Sequence, residues 1–209
     1  YCDEGGFFPN KLDQFDICEI ICESILKNKL EPGKDIGISL DVAASNFYNG
    51  SSYKLYDDKI DMINLMDILD KLINQFNVSL IEDPFHEEDF DSFALLKNQH
   101  SNSVQIIGDD LICSNYNLLN KAIKSKCVDG IIVKINQCGT ISEALETINL
   151  AKENKIKTIL SARSGDTEDV FLSHFAVAWD VDMIKVGSFS RSERTSKWNE
   201  LIRIEEKLK

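Results

Sequence analysis

Three carboxylates each close a short apolar run of this sequence: Asp41 follows residues 36–40, Glu82 follows Leu80 and Ile81, and Asp109 follows the run 104–108. If those runs are neighbouring strands of a parallel sheet, the three side chains converge at one rim, where like charges repel unless a cation sits among them. Oxygen ligands of this type suit Mg²⁺, which keeps waters that a substrate can displace. The same residues have a local use as well, each capping the helix that follows or lying exposed in a loop. Lys134 and Lys185 end two further apolar runs, 130–133 and 183–184. Burial lowers the pKa of an ammonium and a nearby metal lowers it further, so a lysine there can act as a base near neutral pH. The alternative is an ordinary ion pair with a neighbouring carboxylate.

Ser161-Ala162-Arg163-Ser164-Gly165-Asp166 sets a guanidinium and two hydroxyls in a glycine-containing turn ahead of a helical pattern, the chemistry of an anion or phosphate cradle. A strand-to-helix turn capped by a serine or by Thr167 accounts for the same letters. Glu4-Gly5-Gly6 can present a carboxylate on a tight turn. His86, His100 and His174 share no ligand spacing and receive no role; His86 reads as solvated among acids. Cys2, Cys18, Cys22, Cys113, Cys127 and Cys138 form no CxxC pair and no Cys/His zinc spacing. They read as reduced structural thiols, with Cys18 and Cys22 one helical turn apart on a core face.

A scaffold that delivers these groups to one place is written in the apolar pattern. Six apolar segments end in a charge or hydroxyl, and most precede an amphipathic helical pattern, as in successive βα units of a parallel barrel or sheet. Such folds build their chemistry at the carboxyl ends of the strands. Asp109, Lys134, Ser161 and Lys185 recur at intervals of about 25 residues, the length of one strand, loop, helix and return loop. Helices are expected over 10–28, 58–76, 116–125, 142–154, 167–179 and 190–208. In the first, Leu12, Phe15, Cys18, Ile21, Cys22, Ile25 and Leu26 repeat near 3.6, Glu31-Pro32-Gly33-Lys34 ends the helix, and a strand at 36–42 follows. Residues 46–56 read as an irregular loop, long enough to be functional. Six strands fall short of the eight of a closed barrel, so the sheet is open or the first strands lie before Tyr1.

With 209 residues and a 43% hydrophobic fraction, the chain reads as one soluble globular domain spanning 1–209. A net charge of -12 with no basic stripe argues against nucleic-acid and anionic-membrane partners. No apolar run approaches the roughly 20 residues of a membrane span. Residues 1–4 lack the features of a signal peptide, so a cytoplasmic location is expected. A small anionic substrate fits if local cations or a metal dominate the field of the site.

Certain stretches carry more than pattern: Asp3-Glu4-Gly5-Gly6-Phe7-Phe8-Pro9-Asn10, Leu40-Asp41-Val42-Ala43-Ala44-Ser45, Ile81-Glu82-Asp83-Pro84-Phe85, Gly108-Asp109-Asp110-Leu111, Val133-Lys134-Ile135-Asn136-Gln137, Arg163-Ser164-Gly165-Asp166-Thr167-Glu168-Asp169 and Arg191-Ser192-Glu193-Arg194. In this order and spacing they resemble the C-terminal barrel domain of the enolase family from end to end of the chain. The resemblance implies an α/β fold, a (β/α) barrel incomplete at about six of eight strands, with an N-terminal domain and the first barrel strands absent. It implies a Mg²⁺-dependent lyase, a phosphopyruvate hydratase of glycolysis, that dehydrates 2-phosphoglycerate to phosphoenolpyruvate. Asp41, Glu82 and Asp109 would bind Mg²⁺, the last two also lying at the substrate. Lys134 would remove the proton alpha to the substrate carboxylate, and Glu4 would help protonate the departing hydroxide. Arg163 and Ser164 would hold the phosphate, and Lys185 would sit beside the substrate carboxylate. A homodimer of the full-length protein is a further expectation. One residue departs from the family: Ala162 stands where the family has histidine, and losing such a polar group commonly costs on the order of 10²-fold in rate. Two other functions follow from that departure, a sister reaction on a related phosphorylated or phosphono carboxylate, and an enolase-like binding or structural protein with impaired catalysis.

Overall fold

The computed structural model describes residues 2–9, 11–101 and 103–209. The expectations touching Tyr1 and Asn10 lie outside the described residues. In chain order the elements are α1 (Gln14–Lys27), β1 (Ile38–Asp41), a 3₁₀ turn (Ala44–Phe47), β2 (Tyr53–Leu55), β3 (Asp58–Ile60), α2 (Met62–Phe76), β4 (Val78–Glu82), α3 (Phe90–Gln99), β5 (Gln105–Gly108), α4 (Tyr116–Ser125), β6 (Gly130–Val133), α5 (Ile135–Cys138), α6 (Ile141–Glu153), β7 (Lys157–Ser161), α7 (Phe171–Ala178), β8 (Met183–Lys185) and α8 (Ser192–Leu208).

Six strands form one parallel sheet in the order β1-β4-β5-β6-β7-β8, so each neighbour in the sheet is the next strand of that series in the chain. Parallel neighbours need a crossover, and the helices supply it on one face of the sheet. Strand alternation sorts the side chains between two cores. Ile38, Ile81, Ile106, Ile131, Val133 and Leu160 face the helices and pack with Phe93, Leu119 and Ile148 in the main core. Leu80, Ile107, Ile132, Ile159 and Met183 project from the opposite face and pack together across five strands, so that face is the inside of a curled half-barrel. Two residues beyond each inner side chain lies Glu82, Asp109, Lys134, Ser161 or Lys185 respectively, which the period of two turns to the same inner face. Ser39 and Asp41 repeat the device on β1.

Several boundaries differ from the sequence expectation for local reasons. The helix expected at 58–76 begins only at Met62, because Asp61 caps it through the Asn64 amide at 2.9 Å. Asp58–Ile60 pairs instead with Tyr53–Leu55 as an antiparallel hairpin, so the loop expected at 46–56 holds a strand and a 3₁₀ turn. The first helix starts at Gln14, where Asp13 and Asp16 form a reciprocal capping box. The helix expected at 167–179 is only Phe171–Ala178, and neither a serine nor Thr167 caps it; its N-cap is Val170. The turn at 162–170 is therefore a loop in its own right. Helices α3 and α5 carry too weak an apolar period to be read in advance.

Candidate active site

Strand ends of the six-stranded sheet gather the groups that the sequence singled out. Asp41 ends β1 and pairs in register with Glu82 at the end of β4, while Ser161 pairs with Lys185 across β7 and β8. Lys185 Nζ donates to both Glu82 oxygens, at 2.7 and 2.9 Å, and to Asp41 Oδ2 at 2.9 Å. It reaches across the inner face from one edge strand to the other. Lys134 Nζ forms a close ion pair with Asp109 Oδ2. None of the three carboxylates caps a helix, a task that Asp61, Asp89 and Asn115 perform instead, while Asp41 is exposed at the end of its strand and Glu82 and Asp109 are buried. A cavity of about 350 Å³ runs beneath the rim, lined by Leu80, Ile132 and Ile159 and reaching Asp41, Glu82 and Lys185.

Burial pushes the Glu82 carboxyl up, to about 8, against the pull of Lys185, and the neighbouring Asp41 adds like-charge repulsion. The lysine moves against the sequence expectation of a lowered pKa. Burial does work against the Lys185 ammonium, but the Glu82 and Asp41 carboxylates outweigh it and hold its pKa above the usual value. The ammonium is thus a fixed positive charge, suited to holding an anion rather than to removing a proton.

Asp83 and Ser114 were not singled out as site residues by their sequence context, yet they fix the geometry. Asp83 is 3% exposed and takes a left-handed backbone, φ 43°, that turns its carboxylate toward the next strand end. Its two oxygens accept from the amides of Asp109 at 2.9 Å and Asp110 at 2.7 Å. Burial raises the Asp83 carboxyl to about 7 although those amides pull it down. Ser114 Oγ accepts from the Lys134 amide at 2.8 Å and donates to Gln137 Oε1 at 2.7 Å, pinning the chain where Lys134 leaves β6. An Asp after a strand-end Glu, and a buried serine in an irregular turn, carry no distinctive sequence signal.

Residues from three other segments close the rim. Glu4 lies on a turn in which Gly5 donates to the Cys2 carbonyl at 3.0 Å. Gly5 has φ 80°, and a Cβ there would come within 2.6 Å of Ser190 Oγ, so the turn requires glycine. Glu4 Oε1 accepts from Ser164 Oγ at 2.8 Å, and Arg163 donates to Asn136 Oδ1 at 2.7 Å, two residues beyond Lys134. Ala162 presents only a methyl group after β7, and its amide donates to the Lys185 carbonyl at 2.8 Å. His86 is half-buried and stacks against Tyr48 at 4.4 Å rather than standing in solvent. Cys18 is buried and Cys22 packs against the same core, as their spacing implied.

A divalent cation fits this donor set. The buried Asp109 Oδ1 accepts no hydrogen bond among the described residues, and Asp41 and Glu82 at the same rim add carboxylate oxygens, the hard ligands that suit Mg²⁺. Among the described residues the three carboxylates whose oxygens come within 4.8 Å of one another are Asp83, Asp109 and Asp110. Asp83 spends both oxygens on backbone amides, so Asp109 and Asp110 are the members of that group with oxygens left for a cation. Asp41 and Glu82 instead share one ammonium, that of Lys185.

A curled parallel half-barrel with three acids and then two lysines along its carboxyl rim defines the class: an α/β barrel domain with its polar site at the strand ends. The family described as enolase, C-terminal TIM barrel domain, matches residues 1–209, and the chain belongs to that family. Proteins named enolase from Ehrlichia chaffeensis, Methanopyrus kandleri and Lactobacillus helveticus are 40%, 41% and 42% identical to it over 206, 208 and 209 residues. Each alignment covers 99% of this chain and 49% of the relative, so the chain spans about half the length of the relatives it matches.

Proposed function

We propose that the protein carrying this chain interconverts 2-phosphoglycerate and phosphoenolpyruvate, with Mg²⁺ bound by Asp41, Glu82 and Asp109. The observation that carries the reading is the pairing of Lys134 with Asp109 beside the Lys185–Glu82–Asp41 cluster on a single inner face. A proton next to an ionised carboxylate is too weakly acidic for an amine unless the second negative charge meets positive charge already in place. When bound, Mg²⁺ would supply most of that charge.

The chain's own groups divide the remaining work. Lys134, held at its backbone by Ser114, gives its ammonium proton to solvent and, as the neutral amine, takes the α-proton on Nζ. Lys185 keeps its proton and pairs with the substrate carboxylate, which its raised pKa favours. Arg163 and Ser164 hold the phosphate by charge-assisted hydrogen bonds. Glu4, at hydrogen-bond distance from Ser164, delivers a proton to the hydroxide that leaves. That the relatives are named enolase supports this assignment.

One residue favours a second reading. Ala162 offers no polar group where the family resemblance expects histidine, which fits a protein that binds the ligand but turns it over slowly. Absorbance of phosphoenolpyruvate, followed with the full natural chain and 2-phosphoglycerate, separates the two: Mg²⁺-dependent turnover supports the enzyme, and binding without turnover supports the second reading.

A further inference from the structure

The loop that presents Arg163 and Ser164 rests on two cations buried in α8. Arg194 is 0% exposed and Lys197 1%, and both are among the largest fully buried side chains of the fold. Burying an ion carries a penalty of several kcal/mol unless partners surround it. Each has a carboxylate within ion-pair reach but not hydrogen-bonded to it: Arg194 Nε lies 4.0 Å from Glu193 Oε1, and Lys197 Nζ lies 3.5 Å from Asp166 Oδ1.

Their hydrogen bonds go to backbone carbonyls instead. One terminal nitrogen of Arg194 donates to the carbonyls of Arg163 at 2.8 Å and Val186 at 3.0 Å, and the other donates to that of Ser164 at 2.7 Å. Lys197 donates to the carbonyls of Thr167 at 2.7 Å and Glu193 at 2.9 Å. The planar fork of Arg194 thus fixes two consecutive carbonyls of the loop from behind, and Lys197 fixes a third further along. Gly187 makes the close approach possible, since with φ 128° a Cβ there would come within 2.8 Å of Arg194 Cδ and 3.0 Å of the Glu4 carbonyl. The Glu4 turn, the Arg163–Ser164 segment and α8 are therefore packed as one unit.

We propose that Arg194 and Lys197 are positioning residues for the anion loop: they hold its carbonyls away from the ligand and add buried positive potential beneath it. This rests on the reading that Arg163 and Ser164 bind the substrate phosphate. Both cations act through the loop without touching substrate, so their loss weakens phosphate binding more than it weakens the cation site. Low dielectric beneath the loop makes each charge count for more than a surface lysine would.

The test uses the full natural chain, with inorganic phosphate and Mg²⁺ as separate calorimetric probes, in wild type, Arg194→Lys and Lys197→Met. Arg194→Lys keeps the charge and loses the fork; Lys197→Met loses the charge and keeps the fork. Expected are a roughly 10-fold weaker phosphate affinity per folded molecule in each variant and a KM for 2-phosphoglycerate that rises by more than kcat falls, with Mg²⁺ affinity changed less than about 2-fold. Because the variants differ, one that folds poorly leaves the other to decide. Phosphate affinity and KM equal to wild type in the folded fraction, with only thermal stability lowered, would overturn the proposal. If wild type itself binds no phosphate and shows no turnover, the functional reading falls first and takes the positioning role with it.

Discussion

Replacing Lys185 with methionine keeps most of the side-chain volume and removes the one cation that bridges Asp41 and Glu82. Three charge-assisted hydrogen bonds disappear, two of them to a carboxylate whose side chain is only 6% exposed. Breaking a fully buried pair costs about 3–5 kcal/mol. Lys185 and Asp41 retain 37% and 45% side-chain exposure, so solvent screening reduces the loss to about 2–3 kcal/mol. For a domain of this size that lowers Tm by about 8 °C. The loss depends on pH with a definite sign. A carboxyl raised from 4.5 to about 8 in the fold contributes stability that is complete below its unfolded value and disappears as pH climbs through the folded one. Without the ammonium the ionised Glu82 is harder still to bury and its folded pKa rises further, so the deficit of Lys185→Met is small at pH 5 and grows as pH climbs past about 8. Under the proposed metal site Mg²⁺ offsets it, because a cation at 100 times its Kd returns about 2.7 kcal/mol. Thermal unfolding from pH 5 to 9, with and without Mg²⁺, reads all three effects. An equal deficit at both ends of the range, or a Tm indifferent to Mg²⁺, would refute the reasoning.

Restoring the polar group at position 162 with Ala162→His raises turnover of 2-phosphoglycerate by about 10²-fold under the proposed function, seen as kcat in the absorbance assay. Ser114→Ala removes the acceptor of the Lys134 amide from a site 2% exposed, and unfolding in urea registers a loss of about 1–3 kcal/mol with unchanged m. Burial holds the Cys18 and Cys127 thiols up at about 11, so mass spectrometry after iodoacetamide treatment at pH 8 finds both unmodified in the folded protein while exposed Cys2 is alkylated.

The sheet was legible because its strands are short, apolar and rich in isoleucine, and because each stops at a residue too polar to continue into the core. The same rule placed Asp41, Glu82, Asp109, Lys134 and Lys185 at strand ends. What it did not give is the pairing between them, since Lys185 meets Asp41 across the curl of the sheet at a separation of 144 residues. The β2–β3 hairpin was missed because Asp58-Lys59-Ile60 runs straight into the helical pattern of α2, and only Asp61 as cap divides them. Buried Arg194 and Lys197 were hidden for a related reason: in a helix of low apolar content, a cation satisfied by carbonyls reads like a solvated one.

Exchange of the α-proton of 2-phosphoglycerate with deuterated solvent, followed by NMR in the full natural chain with saturating Mg²⁺, bears most directly on Lys134. Wild type is expected to exchange that proton at least as fast as it forms phosphoenolpyruvate. Lys134→Ala is expected to lose exchange by at least about 10³-fold while still binding Mg²⁺. Exchange at the wild-type rate in folded, Mg²⁺-loaded Lys134→Ala would contradict the assignment of the base.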